Sequence, residues 1–371
     1  MKTISVYTRS GKASGSSYYR ILQYQKDIDC KFKNRIVVPQ KLYSNYNKSV
    51  GAKRKFYQVL FYFLAYVRTI GFLIKDIFLK PDVLFVSRAI MPKIMPFPIK
   101  PLMKKALKNA KKVVWDVDDD IFQSKEITKQ ETALLKEYSR HILVTTLELK
   151  KHFSEDKHNL FIHLPTTDGD FVGDDIKKLT ELRKERYEKG EIALVWLATY
   201  TSLPFVEDVV PYLDEGAKII KEKFNKQLVL EIVCNRPLEA KAEHLKIVNL
   251  AWTRELAHNR VQLAHAGIYP VRDTVQAQGK GAFKLLQYMS IALPSISSNV
   301  GNVKQIVENG VDGLVASCEN LSDWKEHVVT LASSWKVIEE MGVNAKKTWE
   351  TRYSYNENLK ILTDIFCGET K

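Results

Sequence analysis

The chain is 371 residues long, with 45% hydrophobic and 27% charged residues, the balance of a soluble globular protein, and it exceeds what one hydrophobic core usually organises. Two domains are therefore expected. The formal charge of +14 is unevenly placed: residues 1–115 carry 24 Lys/Arg against 4 Asp/Glu, a surplus of +20 that leaves −6 for the rest, and such asymmetry points to an anionic partner, either a membrane leaflet or a nucleic acid.

In chain order, residues 3–8 read as a β-strand that follows Met1 directly, without the apolar core and cleavage site of a signal peptide. A glycine loop comes next, Arg9-Ser10-Gly11-Lys12-Ala13-Ser14-Gly15, and then a helix over residues 17–26. After a strand at 33–38, residues 56–79 form a run of aromatic and branched side chains nearly long enough to span a bilayer. Gln58, Arg68, Lys75 and Asp76 interrupt it. A central arginine costs about 2.5 to 3.5 kcal/mol on insertion scales, so a helix packed into a domain core is the first reading and a membrane-dipping face the second. Residues 83–87 make another strand. Lys100, Lys104, Lys105, Lys108, Lys111 and Lys112 then alternate with apolar residues, the pattern of a basic amphipathic helix, with a solvated helix face as the bland alternative.

The strand at 112–117 runs into Asp116-Val117-Asp118-Asp119-Asp120, where like charges repel unless some are paired, solvated or protonated. Three readings fit: a DxD pair holding Mg2+ or Mn2+ on a nucleotide diphosphate, a carboxylate orienting a hydroxyl, and a capping cluster for a helix starting near Ile121. A strand at 141–146 with a helix from Leu147 completes the first half, and residues 164–170 with the charged run up to Gly190 read as a linker. The second half repeats the alternation, with strands at 192–197, 227–233 and 246–250, a helix over 206–224 and a further apolar segment at 261–270. Such alternation means a mostly parallel sheet in each half, with ligands at the strand carboxyl ends. Cys30, Cys234, Cys318 and Cys367 show no paired spacing, which argues against a disulfide framework or a zinc site and for a reducing compartment. No two of the eight histidines stand at metal-ligand spacing, and His258 and His265 are read as local structure.

Residues 279–316, GKGAFKLLQYMSIALPSISSNVGNVKQIVENGVDGLVA, are the most informative stretch. Gly279 and Gly281 permit close backbone approach, a helix beginning near Ala282 attracts an anion with its free N–H groups, and Lys280 and Lys284 add positive charge. A nucleotide diphosphate suits such a place. Leu285, Leu286, Met289 and Ala292 recur at helical spacing, Pro294 closes the helix, and Ser295-Ile296-Ser297 resembles a strand ending at the turn Asn299-Val300-Gly301-Asn302.

These residues, with Ile306-Val307-Glu308-Asn309-Gly310-Val311-Asp312-Gly313, resemble the C-terminal half of the family 4 retaining glycosyltransferases. The resemblance implies an α/β protein of the GT-B fold, two Rossmann-like doubly wound domains facing a cleft. The first domain would span 1–168, a linker 169–190, the nucleotide-sugar-binding domain 191–345, and a helix at 346–371 would cross back to the first domain. It also implies a retaining transfer from a nucleoside-diphosphate sugar, without a metal ion or other cofactor. Gly281, Ala282, Phe283, Gln287, Val300 and Gly301 would bind the donor, and Lys280 and Lys284 would stabilise the leaving group. Where the family commonly has two glutamates, this chain has Gly279 and Gln287. On the acceptor side, Gly11, Lys12, Ser14, Gly15 and Arg20 would face the cleft, while Asp118-Asp119 aligns with a His-Asp pair near acceptor and sugar. Charge adds a membrane-bound glycolipid or growing surface polysaccharide as acceptor, an anionic membrane surface and no nucleic acid as partners, and the inner face of the cell membrane, in the cytoplasm, as location. Three alternatives stand beside this: a metal-dependent transferase using residues 116–120, a catalytically dead sugar-nucleotide scaffold, and a nucleic-acid-binding protein using the basic half.

Overall fold

The computed structural model describes residues 1–153, 159–172 and 174–368, so the last three positions of the expected returning segment lie outside the described residues. By its contacts the chain divides into two units. One comprises Met1–Gly169, Gly279–Gly281 and Tyr355–Lys371, and the other Asp170–Gln278 and Ala282–Ser354.

The first unit is built on six parallel strands: β1 (Thr3–Thr8), β2 (Lys31–Ile36), β3 (Val83–Ser87), β4 (Lys112–Val117), β5 (His141–Val144) and β6 (Leu160–His163). Their order is β2-β1-β3-β4-β5-β6. Around them lie α1 (Gly15–Ser17), α2 (Gln40–Lys48), α3 (Gly51–Leu79), α4 (Ile99–Asn109) and α5 (Lys129–Tyr138). Strands β3 and β4 are buried throughout, which is why each carries an apolar run, residues 83–86 in β3 and 113–115 in β4. The pleat sorts their side chains: Leu84, Val86, Val113 and Trp115 pack with Phe61, Ala65 and Leu73 of α3, while Val83, Phe85 and Val114 join a second core on the opposite face.

Several local expectations change. The helix expected over 17–26 is a short turn of α1 followed by a π-helical turn, Tyr18–Leu22, with Arg20 and Ile21 buried. No helix starts at Ile121, because the Asp120 carboxylate accepts from the Phe122 and Gln123 N–H groups and closes a turn instead. The basic helix ends at Asn109, and Lys112 opens β4. Helix α3 is not sunk into a core on all sides. Only the stripe Phe61, Ala65, Thr69, Leu73 and Asp76 is buried, and Asp76 is satisfied by Ser5 Oγ at 2.8 Å, Tyr7 Oη at 2.7 Å and Arg35 Nη2 at 2.5 Å.

In the second unit the charged run read as linker folds as α6 (Ile176–Glu188), with Leu179, Arg183 and Tyr187 buried. Then follow β7 (Glu191–Leu197), α7 (Leu203–Glu207), α8 (Val210–Phe224), β8 (Gln227–Cys234), β9 (Lys246–Ala251), α9 (Arg254–Leu263) and β10 (Ala266–Tyr269). The chain continues through α10 (Val275–Gln278), α11 (Phe283–Ser290), β11 (Ser295–Ser298), α12 (Val303–Ile306), β12 (Leu314–Ala316), α13 (Asp323–Ala332) and α14 (Trp335–Arg352). This sheet is also parallel, in the order β12-β11-β10-β7-β8-β9. The expected helix over 206–224 is two helices, the second restarting with a proline in its first turn. The apolar segment at 261–270 is divided between the end of α9 and β10. Buried Arg183 donates to the carbonyls of Gln262, Ile291 and Ala292, and so ties α6 to the ends of α9 and α11. His265 is local structure: Nδ1 accepts from Ala193 N at 2.8 Å, Nε2 contacts Arg183 O at 2.9 Å, and burial pushes its pKa down to about 3.

The last helix, α15 (Tyr355–Cys367), belongs to the first unit. Phe366 packs edge-on against Phe32 and Phe85, Tyr355 stacks on Tyr24, and the Lys112 ammonium donates to Ile365 O at 2.8 Å. Cys30 and Cys367, unpaired by spacing in the sequence, meet here as free thiols with Sγ atoms 3.1 Å apart.

Candidate functional site

In the first sheet the strand order reverses between β1 and β3, the place where open parallel sheets bind ligands beyond their carboxyl ends. There β1 feeds the loop Arg9–Gly15, in which Gly11 has φ +57 and a Cβ would lie 2.7 Å from Gln40 Nε2. Lys12 and Gly15 of this loop are exposed, while Ser14 is buried. Strand β3 delivers Arg88, and β4 delivers the aspartates.

The aspartate run is divided among different partners. Asp116 and Arg20 are both fully buried and paired, Nη2 to Oδ1 at 2.5 Å and Nε to Oδ1 at 3.1 Å, and Arg20 also donates to Leu164 O. Arg20 thus does not face outward toward an acceptor as the resemblance implied, because it neutralises an aspartate inside the unit. Asp118 is held two-pronged by Arg88, at 2.5 and 3.0 Å. Arg88 also reaches Glu126 at 3.2 Å, which in turn pairs with Arg9 at 2.5 Å. Asp120 pairs with His152 at 3.0 Å. Asp119 is the most open, its side chain 40% exposed and 3.6 Å from Arg88.

Those environments push the neighbouring carboxyls apart. Burial raises both, but the Arg88 guanidinium holds Asp118 below the usual range, whereas Asp119 stays above it, pushed up further by the Asp118 charge. Asp119 is therefore the group suited to share a proton with a hydroxyl, and Asp118 serves to fix Arg88. Among the described residues, no three His, Cys, Asp or Glu side chains form a group that could hold a metal ion. Asp116 and Asp118 are each paired with a guanidinium group.

The loop Gly279-Lys280-Gly281 joins this unit. A Cβ on Gly279 would lie 3.3 Å from Asp120 Cβ, and one on Gly281 would lie 3.2 Å from Thr145 Cβ. Lys280 is half-buried. Thr145 in turn donates to Asp118 O at 3.0 Å. The glycines thus lie close to the segments that follow β4 and β5.

In the second unit, α11 starts at Ala282 in the left-handed conformation (φ +50), with no side chain capping its first turn. Its N-terminal N–H groups can meet an anion. Lys284 lies in that turn and donates to Gln287 Oε1 at 3.1 Å, so buried Gln287, at the position where the resemblance places a second glutamate, holds Lys284. Phe283 is half-buried beside them. Val300 packs with Val271 and Ala277. Gly301 has φ +54 and a Cβ would clash with the carbonyls of Ala277 and Gln278 at 2.9 and 2.8 Å, so only glycine lets the turn meet α10.

The second sheet reverses between β7 and β10. A pocket of about 570 Å3 opens at the carboxyl ends of β10, β11 and β12, lined by Phe205, Asp208, Arg272, Ser298, Lys304 and Cys318 among others. Arg272 is clamped by Asp208 at 2.6 and 2.8 Å. None of these residues is assigned to a site from sequence, where Cys318 enters only through its unpaired spacing. Pro270 to Asp273, directly after a strand, was the available signal.

Residues 195–334 match the family model described as glycosyl transferases group 1. No curated protein matches the sequence. Solved structures share the fold. HepE from Anabaena, crystallised with UDP and glucose, has a TM-score of 0.64 at 9% identity, covering 100% of both chains. A Rickettsia africae glycosyltransferase gives 0.61 at 13% identity, over 98% of this chain and 97% of its own. Sucrose-phosphate synthase from Thermosynechococcus elongatus gives 0.60 at 10%, over 99% and 98%. The fold is GT-B, two doubly wound parallel sheets, as the resemblance implied.

Proposed function

We propose that this chain, whose residues 195–334 carry the group 1 glycosyltransferase match, moves a sugar from a nucleoside-diphosphate sugar to a membrane-bound glycolipid or growing surface-polysaccharide acceptor, with retention and without a metal ion. The observation that carries the donor half is the uncapped, left-handed start of α11 with Lys284 in its first turn, inside the matched residues. Departure of the diphosphate builds negative charge. Lys280, Lys284 and the N–H groups of residues 281–283 are the preorganised donors that would stabilise it, so the mechanism needs no protein nucleophile. Gln287 would orient Lys284 through its amide oxygen and lie beside the donor's ribose. Asp119, partly exposed and with a raised pKa, would orient the acceptor hydroxyl. Gly11, Lys12, Ser14 and Gly15 would border the acceptor. Commitment of Asp116 and Asp118 to arginines supports the metal-independent form. The surplus of +20 in residues 1–115 supports an anionic membrane surface as partner, and a place at the inner face of the cell membrane.

Incubation with a panel of nucleoside-diphosphate sugars tests this. One donor should raise the melting temperature and be consumed when a lipid-linked acceptor is added, in EDTA as in its absence. Stabilisation without turnover would indicate a binding scaffold, and turnover lost in EDTA and restored by Mn2+ would indicate the metal-dependent reaction.

A further inference from the structure

The geometry points to α3 as a membrane-contact element that lies flat on an anionic bilayer with its outward face among the acyl chains just below the headgroups. The inference deepens the membrane-bound acceptor of the proposed function and rests on it. At helical spacing Phe56, Val59, Phe63, Val67, Ile70, Ile74 and Phe78 fall on one face, within an arc of about 100°, opposite the buried stripe Phe61, Ala65, Thr69 and Leu73. No charged residue lies in that arc. Its members are exposed apart from half-exposed Ile70, Phe63 by 60% and Phe78 by 81%. The stripe runs for about 33 Å at the helical rise, and Phe97, 84% exposed, extends it where Tyr66 Oη donates to Phe97 O at 2.8 Å. An apolar strip of this length is rarely left to water on a soluble monomer.

Charge identifies what covers it. Exposed Lys53, Arg54 and Lys55 stand at one end of the stripe and Lys75 and Lys80 at the other, and α4, packed beside α3, exposes Lys100, Lys104, Lys105 and Lys108. Residues 30–115 contain two acids only, Asp76 and Asp82. Asp76 is buried against Arg35, and Asp82 accepts from Lys111 at 2.8 Å. Phosphate headgroups complement a basic surface of this kind while acyl chains take the phenylalanines. A second copy of the chain would bring the same cations together with no acid to separate them. Although α3 is long and apolar enough to cross a membrane, spanning would strip Asp76 from Ser5, Tyr7 and Arg35, and Arg68 from Ile36 O.

The test is pelleting of the full chain with vesicles of phosphatidylcholine and phosphatidylglycerol in equal parts, and with phosphatidylcholine alone, in the absence of any sugar nucleotide. Binding should be strong to the mixed vesicles and weak to the neutral ones. Replacing Phe63, Val67 and Ile74 together with serine should lower affinity for the mixed vesicles at least tenfold with an unchanged melting temperature. As a second measurement that leaves the stripe apolar, Phe78→Trp should show added fluorescence quenched by brominated acyl chains. Wild-type vesicle binding by the triple variant, or no added quenching in Phe78→Trp, overturns the inference. So does a wild-type dimer that the triple variant splits and that does not bind vesicles, since it would assign the stripe to a second copy. Because pelleting uses no donor, an inactive protein that binds vesicles would refute the transferase reading alone, and an active one that ignores vesicles would refute the bilayer alone.

Discussion

Glu131 supplies the sharpest test of how the first unit is held together. It sits three residues after Thr128, the N-cap of α5, in the T-x-x-E pattern of a capping box. Instead of reaching back to the cap, its carboxyl is buried and accepts from Ile90 N at 2.5 Å and Met91 N at 3.4 Å, pinning the segment that follows Arg88. Its Oε2 is buried with no hydrogen-bond partner. Burial outweighs the two N–H donors and pushes its pKa from 4.5 up to about 8. A carboxyl raised in the folded state keeps a proton that the unfolded chain gives up. Stability is therefore fully present at low pH and is lost as pH rises from the unfolded value toward about 8, at roughly 1.4 kcal/mol per pH unit. From pH 5 to pH 8 the difference comes to about 4 kcal/mol, an upper bound because local opening admits water. Glu131→Gln keeps the acceptor for Ile90 and cannot titrate. Urea unfolding of both proteins at pH 5, 6, 7 and 8 should show the wild type losing stability relative to the variant at each step. The absolute offset between the two does not matter, since the amide's own unpaired N–H costs about 1 to 3 kcal/mol at every pH. Parallel curves for the two proteins would refute the argument.

Three further outcomes follow from the site. Lys284→Ala removes a charge-assisted contact worth about 1.5 to 3 kcal/mol and should lower transfer about ten- to a hundredfold with an unchanged melting temperature; wild-type turnover would remove Lys284 from the mechanism. Asp119→Asn should slow transfer without destabilising the fold, whereas Asp118→Asn should lower the urea midpoint by weakening the hold on Arg88, so equal melting temperatures in the two variants would contradict the assignment. Arg20→Met leaves Asp116 buried without its partner and should cost about 3 to 5 kcal/mol in urea unfolding, and a loss under 1 kcal/mol would show that water or another cation reaches Asp116.

Periodicity and punctuation carried much of this protein in the sequence. Alternation of apolar strands with helices specified two parallel α/β halves, because a strand buried on both faces is mostly apolar. Gly279, Gly281, Gly301 and the lysines around α11 were legible because glycine spacing and charge act locally. The partners of side chains were not legible, since they lie far away in sequence. Arg20 meets Asp116 across 96 residues, and that pairing turns inward a cation expected on the acceptor side. Arg88 and Glu126 entered no motif, yet with Arg9 of the glycine loop their network decides which of two adjacent aspartates stays available. The charged run before Gly190 looked like a linker because its helix buries one narrow stripe. Composition likewise marked residues 56–79 as apolar without saying which side faced water. Tertiary packing decided that, for α3 buries Phe61, Ala65, Thr69 and Leu73 against the first unit, and the phenylalanines opposite are left outside.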